Sequence, residues 1–104
     1  MSDPDEQILE LTNGNPEQKV LGAKLIIDNF FRLPRKTRER IVHLSTKKQP
    51  LKVRKFIAEK LLECVQLDNW THGAVLDALS YSPESEIKRI IDKYKGWSST
   101  PSSF

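Results

Sequence analysis

Residues 49–67 read QPLKVRKFIAEKLLECVQL. Val53, Ile57, Leu61 and Val65 recur every four residues, with Phe56 and Cys64 beside them. A 3.6-residue helix turns that spacing into one apolar stripe. Lys52, Lys55, Glu59 and Glu63 fall largely on the other side. The stretch therefore reads as an amphipathic helix opened by Pro50 and preceded by a short polar turn, Lys47-Lys48-Gln49.

Two other segments imitate it. Asn15-Pro16 leads to Val20, and Ser82-Pro83 leads to Ile87, as Gln49-Pro50 leads to Val53. The three prolines are 34 and 33 residues apart. The segments before them also match. Ile8-Leu9-Glu10-Leu11-Thr12, Ile41-Val42-His43-Leu44-Ser45 and Leu76-Asp77-Ala78-Leu79-Ser80 each give an apolar pair, then a hydroxyl residue, then a polar turn. A repeated unit of two helices in this length range is the mark of a helical solenoid. One such hairpin cannot bury its own apolar surface, so about three must stack.

Around this frame the helix signals are local. Ser2 or Asp3 caps a first helix that opens at Pro4 and stops at Asn13-Gly14. Asn15 is placed to cap the next, with Gln18 completing a capping box. That second helix, about 16–32, is apolar over most of its girth and needs neighbours on at least two sides. Leu33-Pro34 ends it. A cationic third helix spans about 35–46, with Ile41, Val42 and Leu44 as its apolar residues. Asp68-Asn69 starts a fifth, about 69–80. The last, about 83–95, carries Ile87, Ile90, Ile91 and Tyr94 on one side and Glu84, Lys88, Asp92 and Lys95 toward water, with Gly96 as its stop. No stretch alternates as a half-buried strand does.

The pairs Val53-Arg54 and Ile57-Ala58, followed by Leu61, give an apolar-Arg step, a small residue a turn later, then leucine. On these residues PLKVRKFIAEKLLEC resembles the second helix of a HEAT repeat. SPESEIKRIIDKY is similar in Ile87-Lys88 and Ile91, and NPEQKVLGAKLIIDNF in Val20 and its apolar continuation. The resemblance covers roughly residues 4–95. It implies an all-α fold of about six helices, a short right-handed solenoid of three antiparallel helix pairs. The units are then about 4–32, 34–66 and 68–95, within one domain of residues 1–97. Residues 98–104 form a flexible Ser-rich tail. The chain departs from the family in its turns, where Asn15, Gln49 and Ser82 stand in place of the usual Asp, and only the middle unit keeps the Arg. Tetratricopeptide repeats share the period, but their Trp, Gly and Tyr landmarks are missing. The competing architecture is a plain six-helix bundle with coincidental spacing.

Composition narrows the function classes. A chain of 104 residues fits one domain, and no apolar run reaches the length of a membrane span. The polar, acidic N-terminus is not a secretory signal, and the single Cys64 has no internal disulfide partner. These features place the chain inside the cell, in the cytoplasm first, with the nucleus open. The net charge is only +3, but its distribution is uneven. Residues 32–60 hold eleven Lys or Arg against Glu39 and Glu59, a local charge of +9; the other six cations and twelve acids leave −6 elsewhere. Such a block suits an acidic partner.

Signals of catalysis are missing from the pattern. Cys64, Asp68 and His72 are spaced i, i+4, i+8, which on one helix would suggest a metal site or a Cys–His pair. Asp68-Asn69 reads as a helix start, however, and that breaks the register. The plainer reading is a buried thiol, a cap and a surface histidine. His43 is a surface or boundary side chain with no catalytic pair. The four glycines are isolated, so no phosphate loop forms. No enzyme, cofactor or metal is expected.

The binding candidates are Arg35, Lys36, Arg38, Arg40, Lys47, Lys48, Lys52 and Lys55, drawn from both helices of the middle unit. The leading reading is a non-catalytic interaction or scaffold module that takes an acidic protein surface. There Lys52, Lys55 and Glu59 lie on the ridge of second helices where HEAT-like proteins commonly receive partners. The rival is a nucleic-acid binder whose Arg35–Lys55 block contacts phosphates. Aromatics do not interleave with these cations, which argues against base stacking. A solvated basic face is the bland alternative. Self-association through the terminal units stays open.

Overall fold

Proline and asparagine set the helix boundaries in the computed structural model, which describes residues 4–63 and 67–99. Helix α1 spans Pro4–Thr12 and α2 spans Pro16–Asp28. A short 3-10 turn, Phe30–Arg32, follows. Then come α3, Arg35–Arg38, and α4, Arg40–Leu44. Three longer helices complete the chain: α5, Leu51–Leu62, α6, Asn69–Ser80, and α7, Ser85–Ser99. Among the described residues every regular element is helical.

Two expected caps form. The Asn15 side chain accepts from the Gln18 backbone N–H, and the Gln18 side chain accepts from the Asn15 N–H, both at 2.9 Å. Asp68 accepts from the Thr71 N–H at 2.7 Å and starts α6. The caps expected at Ser2 or Asp3 lie outside the described residues, as do Cys64 and Val65.

Several boundaries differ from the sequence reading. Helix α2 stops at Asp28 because Asn29 sends both its side-chain and backbone N–H groups to the Leu25 carbonyl, turning the chain early. The expected third helix is broken at Glu39, where bonding tightens to i→i+3, from the Val42 N–H to the Glu39 carbonyl. Around that break Arg38 reaches forward to Asp68 and Arg40 reaches back to Asn13. Helix α5 ends at Leu62, so among the described residues the stripe is helical from Val53 through Leu61. Helix α7 runs through Gly96 instead of stopping there; a mid-helix glycine costs at most about 1 kcal/mol, less than is needed to end a helix. The tail expected from residue 98 therefore begins in helix, and residues 100–104 lie outside the described residues.

One core joins all the helices. Ile8, Ala23, Ile26, Phe30, Ile41, Leu44, Val53, Ile57, Ala58, Leu61, Val75, Leu79, Ile87 and Ile91 are buried together. Thus the α5 stripe faces inward as its spacing requires. Helix α2 packs on α1, α4 and α5, although Leu21 and Phe31 at its edges are exposed. Gly22 permits the closest approach: a Cβ there would meet the Thr12 and Leu11 side chains at 3.1–3.2 Å.

The contacts form two series. Helices α2, α5 and α7 touch in that order; so do α1, α3–α4 and α6. Pairs α1–α2 and α6–α7 join the series at either end, while α4 packs more closely on α2 and α6 than on α5. The radius of gyration is 13.8 Å, close to the ~13 Å of a compact chain of this length. In α1, at and just after α4, and in α6, buried pairs four residues apart are Ile8 and Thr12, Ile41 and Ser45, then Val75 and Leu79, with Thr37, Leu44 and Thr71 also buried. The third pair is one residue earlier than the Leu76–Ser80 match suggested; Leu76 is half-buried and Ser80 exposed. The hydroxyls still act alike, since Thr12, Ser45 and Ser80 each donate to a carbonyl three or four residues back, at 2.6–2.8 Å.

Candidate functional site

The eight cations singled out by charge divide into two groups once their partners are seen. Lys52 and Lys55 lie on α5 and turn to its neighbours. Lys52 pairs with Glu17 of α2 and Lys55 with Glu86 of α7, both at 3.1 Å. The hydrogen bond from Lys52 holds the Glu17 carboxyl below its ordinary range, and the bond to Glu86 pushes the Lys55 ammonium up. Both pairs are exposed, so each contributes little to stability.

Between these pairs lies Arg54, which the charge argument did not separate from the rest. It is 3% exposed. Its Nε donates to the Gln49 carbonyl at 2.8 Å, and its two terminal nitrogens donate to the two Glu84 oxygens at 2.6 and 2.7 Å. This two-pronged bond lowers the Glu84 carboxyl to about 2, through the Arg54 hydrogen bonds first. Glu84, expected to face water, is half-buried here. The corresponding link from α2 is neutral, with Lys19 Nζ donating to Gln49 Oε1 at 2.9 Å. Cations of one second helix thus reach the turn before the next. The acid that Arg54 meets, Glu84, stands one residue after Pro83, while Ser82 stands before it.

On the other series the cations are less engaged. Arg40 is tied to the first turn, donating to Thr12 Oγ1 at 3.2 Å and Asn13 Oδ1 at 2.7 Å. Arg35 pairs with Glu39 one turn on, at 3.0 Å, with its side chain 80% exposed. Arg38 lies over the Phe30 ring at 5.6 Å and makes a long contact of 3.7 Å with Asp68; its Nε is buried with no acceptor. Lys36, Lys47 and Lys48 are exposed and make no ion pair among the described residues.

Two clefts open between this series' helices. The first, of about 230 Å³, is lined by Arg35, Arg38 and Glu39 from α3 and α4's approach, and by Asp68, Trp70 and Thr71 at the start of α6. The second, of about 270 Å³, is lined by Thr46, Lys47, Asp77, Ala78 and Tyr81. Trp70 is 61% exposed and Tyr81 is 67% exposed. In the first cleft the Thr71 N–H, then Arg38 and Arg35, hold the Asp68 carboxyl below its ordinary range.

The Cys64–Asp68–His72 spacing yields no common face. Asp68 caps α6 and Cys64 lies outside the described residues. His72 is half-buried, with its Nε2 2.6 Å from the Tyr94 hydroxyl of α7, so it is a packing contact between helices and not the surface group expected. His43 is exposed, as expected. Among the described residues no three His, Cys, Asp or Glu are grouped to hold a metal, and no helix is long and apolar enough to cross a membrane.

Comparison of the chain with protein-family models, with curated proteins and with solved structures gave no match.

Proposed function

We propose that the chain is a HEAT-like helical-repeat module that binds an anionic partner without catalysis. In this reading the two contact series are the first and second helices of three stacked antiparallel pairs in a short right-handed solenoid. The links from Lys19 to Gln49 and from Arg54 to Glu84 join each unit to the next. The partner meets the first-helix series at Arg35, Lys36, Lys47 and Lys48. The observation that carries the reading is the division of partners. Lys52 and Lys55 pair with Glu17 and Glu86, while Lys36, Lys47 and Lys48 make no ion pair among the described residues. The ridge of second helices, the first expectation from the resemblance, is accordingly replaced by the opposite series.

An acidic protein surface and a nucleic acid both satisfy this charge. Trp70 beside Arg35 and Arg38 favours the second. The test is binding of polyglutamate, duplex DNA and single-stranded RNA at low and physiological salt. Salt-sensitive binding, lost when Arg35, Lys36, Lys47 and Lys48 become Glu in a folded protein, supports the reading. Failure to bind any of the three at low salt refutes it.

A further inference from the structure

The first cleft has a composition that plain anion binding does not explain. Its charged groups are Arg35, Arg38, Glu39 and Asp68, two cations against two anions. A carboxylate side chain entering it meets Glu39 and Asp68, so an acidic peptide gains little there. What the cleft offers is an exposed indole face and, around it, both donors and acceptors. Arg35, whose side chain is 80% exposed, can donate; the Glu39 and Asp68 carboxylates can accept. A flat, uncharged ring with polar edges suits that set. Nucleobases have this form, and stacking on an aromatic side chain is the common means by which single strands are held.

The surrounding charge fits the same ligand. Lys36, next to Arg35 on α3, makes no ion pair among the described residues. The second cleft repeats the combination at the far end of α6, where exposed Tyr81 stands beside Lys47, with Lys48 next in sequence. Trp70 and Tyr81 are eleven residues apart, so a rise of 1.5 Å per residue separates their Cα atoms by about 16 Å. The two ends of α6 thus each carry an exposed aromatic beside a cation, Trp70 beside Arg35 and Arg38 and Tyr81 beside Lys47. A duplex, whose base faces are covered by their neighbours, presents no ring to either site.

We infer that the cleft between α3 and α6 seats one base of a single-stranded nucleic acid on Trp70, with flanking phosphates held by Lys36 and, at the other end of α6, by Lys47 and Lys48. The inference rests on the anion-binding reading above and specifies its partner.

The experiment uses the full chain carrying Trp97→Phe, which leaves Trp70 as the one tryptophan. Trp70 emission and affinity are followed during titration with oligouridylate, with an abasic sugar–phosphate oligomer of equal length, with a duplex and with heparin. The expected result is quenching by oligouridylate alone, with the abasic oligomer and the duplex each bound about tenfold or more weakly. In the original chain, Trp70→Ala is expected to lower oligouridylate affinity about tenfold and leave heparin binding unchanged. Trp70→Phe, which keeps a stacking ring, should retain most of it. Equal affinity for the base-bearing and abasic oligomers overturns the base site while leaving the anion-binding reading in place. So does a Trp70→Ala protein that binds oligouridylate normally. No binding of any of the four ligands overturns both.

Discussion

The seam along α2, α5 and α7 and the face along α3, α4 and α6 are built from the same residue types to opposite ends. On the seam, Lys52, Arg54 and Lys55 each meet an acid on a neighbouring element. On the face, Lys36, Lys47 and Lys48 meet none among the described residues. The difference comes from where the acids are placed. Glu17, Glu84 and Glu86 all lie within three residues of Pro16, which opens α2, or of Pro83, which precedes α7. A cation on α5 points at those openings; a cation on α3 or near Thr46 does not. A run of +9 in sequence therefore resolves into cations that meet an acid across helices and cations that meet none among the described residues.

The most damaging change to the seam is expected in its apolar floor. Leu61→Ala, buried between the helices, should cost about 2–5 kcal/mol in chemical denaturation. A loss under about half a kcal/mol would place Leu61 outside the core. Arg54→Ala comes next. It removes three charge-assisted bonds and leaves a void, and about 2–4 kcal/mol of stability should go with it. On the face, Lys36, Lys47 and Lys48 changed together to Ala should each move stability by no more than about half a kcal/mol. If the face variant were as unstable as the Arg54 variant, the division between the two regions would be void.

Acid sharpens the contrast further. The folded Glu84 carboxyl titrates at about 2, below its ordinary 4.5. The stability it contributes is complete above about pH 4.5 and is lost as pH falls toward 2. Glu17 and Asp68, also lowered, act in the same direction. Glu84→Gln should therefore be less stable at neutral pH and should lose less on acidification through that window. An unchanged acid-unfolding profile would show that the Arg54 bond is not formed in solution. The smallest effect is expected at the exposed pairs: Lys52→Gln with Lys55→Gln should lower the midpoint slightly at low ionic strength and not at 1 M salt, where screening has removed the pairs' attraction.

The sequence carried the helices and their order because the signals are local. Asn15 with Gln18, Asp68 with Thr71 and the stripe Val53, Ile57, Leu61 need nothing beyond a few neighbouring residues. It did not carry the break at Glu39 or the early turn at Asn29. There, tertiary bonds from Arg38 and Arg40, and an Asn side chain competing for a carbonyl, outweigh the apolar pattern. The candidate site was half legible. Charge density located the cations but not their partners, since Lys52 to Glu17 and Arg54 to Glu84 span 35 and 30 residues. Trp70 was missed because it is far from the basic block in sequence. The proline spacing offered one sequence signal: thirty-three residues before Trp70 stands Thr37, between Lys36 and Arg38, and in the proposed stacking such positions of adjacent units are neighbours.

The most direct test of that division compares two charge-changed proteins in one binding experiment. Arg35, Lys36, Lys47 and Lys48 are changed to Glu in one, and Lys52 and Lys55 to Gln in the other; each is titrated with single-stranded RNA across a range of salt. The account predicts that the first loses binding at every salt concentration, while the second binds within about twofold of the unaltered chain and keeps its salt dependence. Loss of binding in the second with retention in the first would contradict it, and would return the partner to the ridge of second helices.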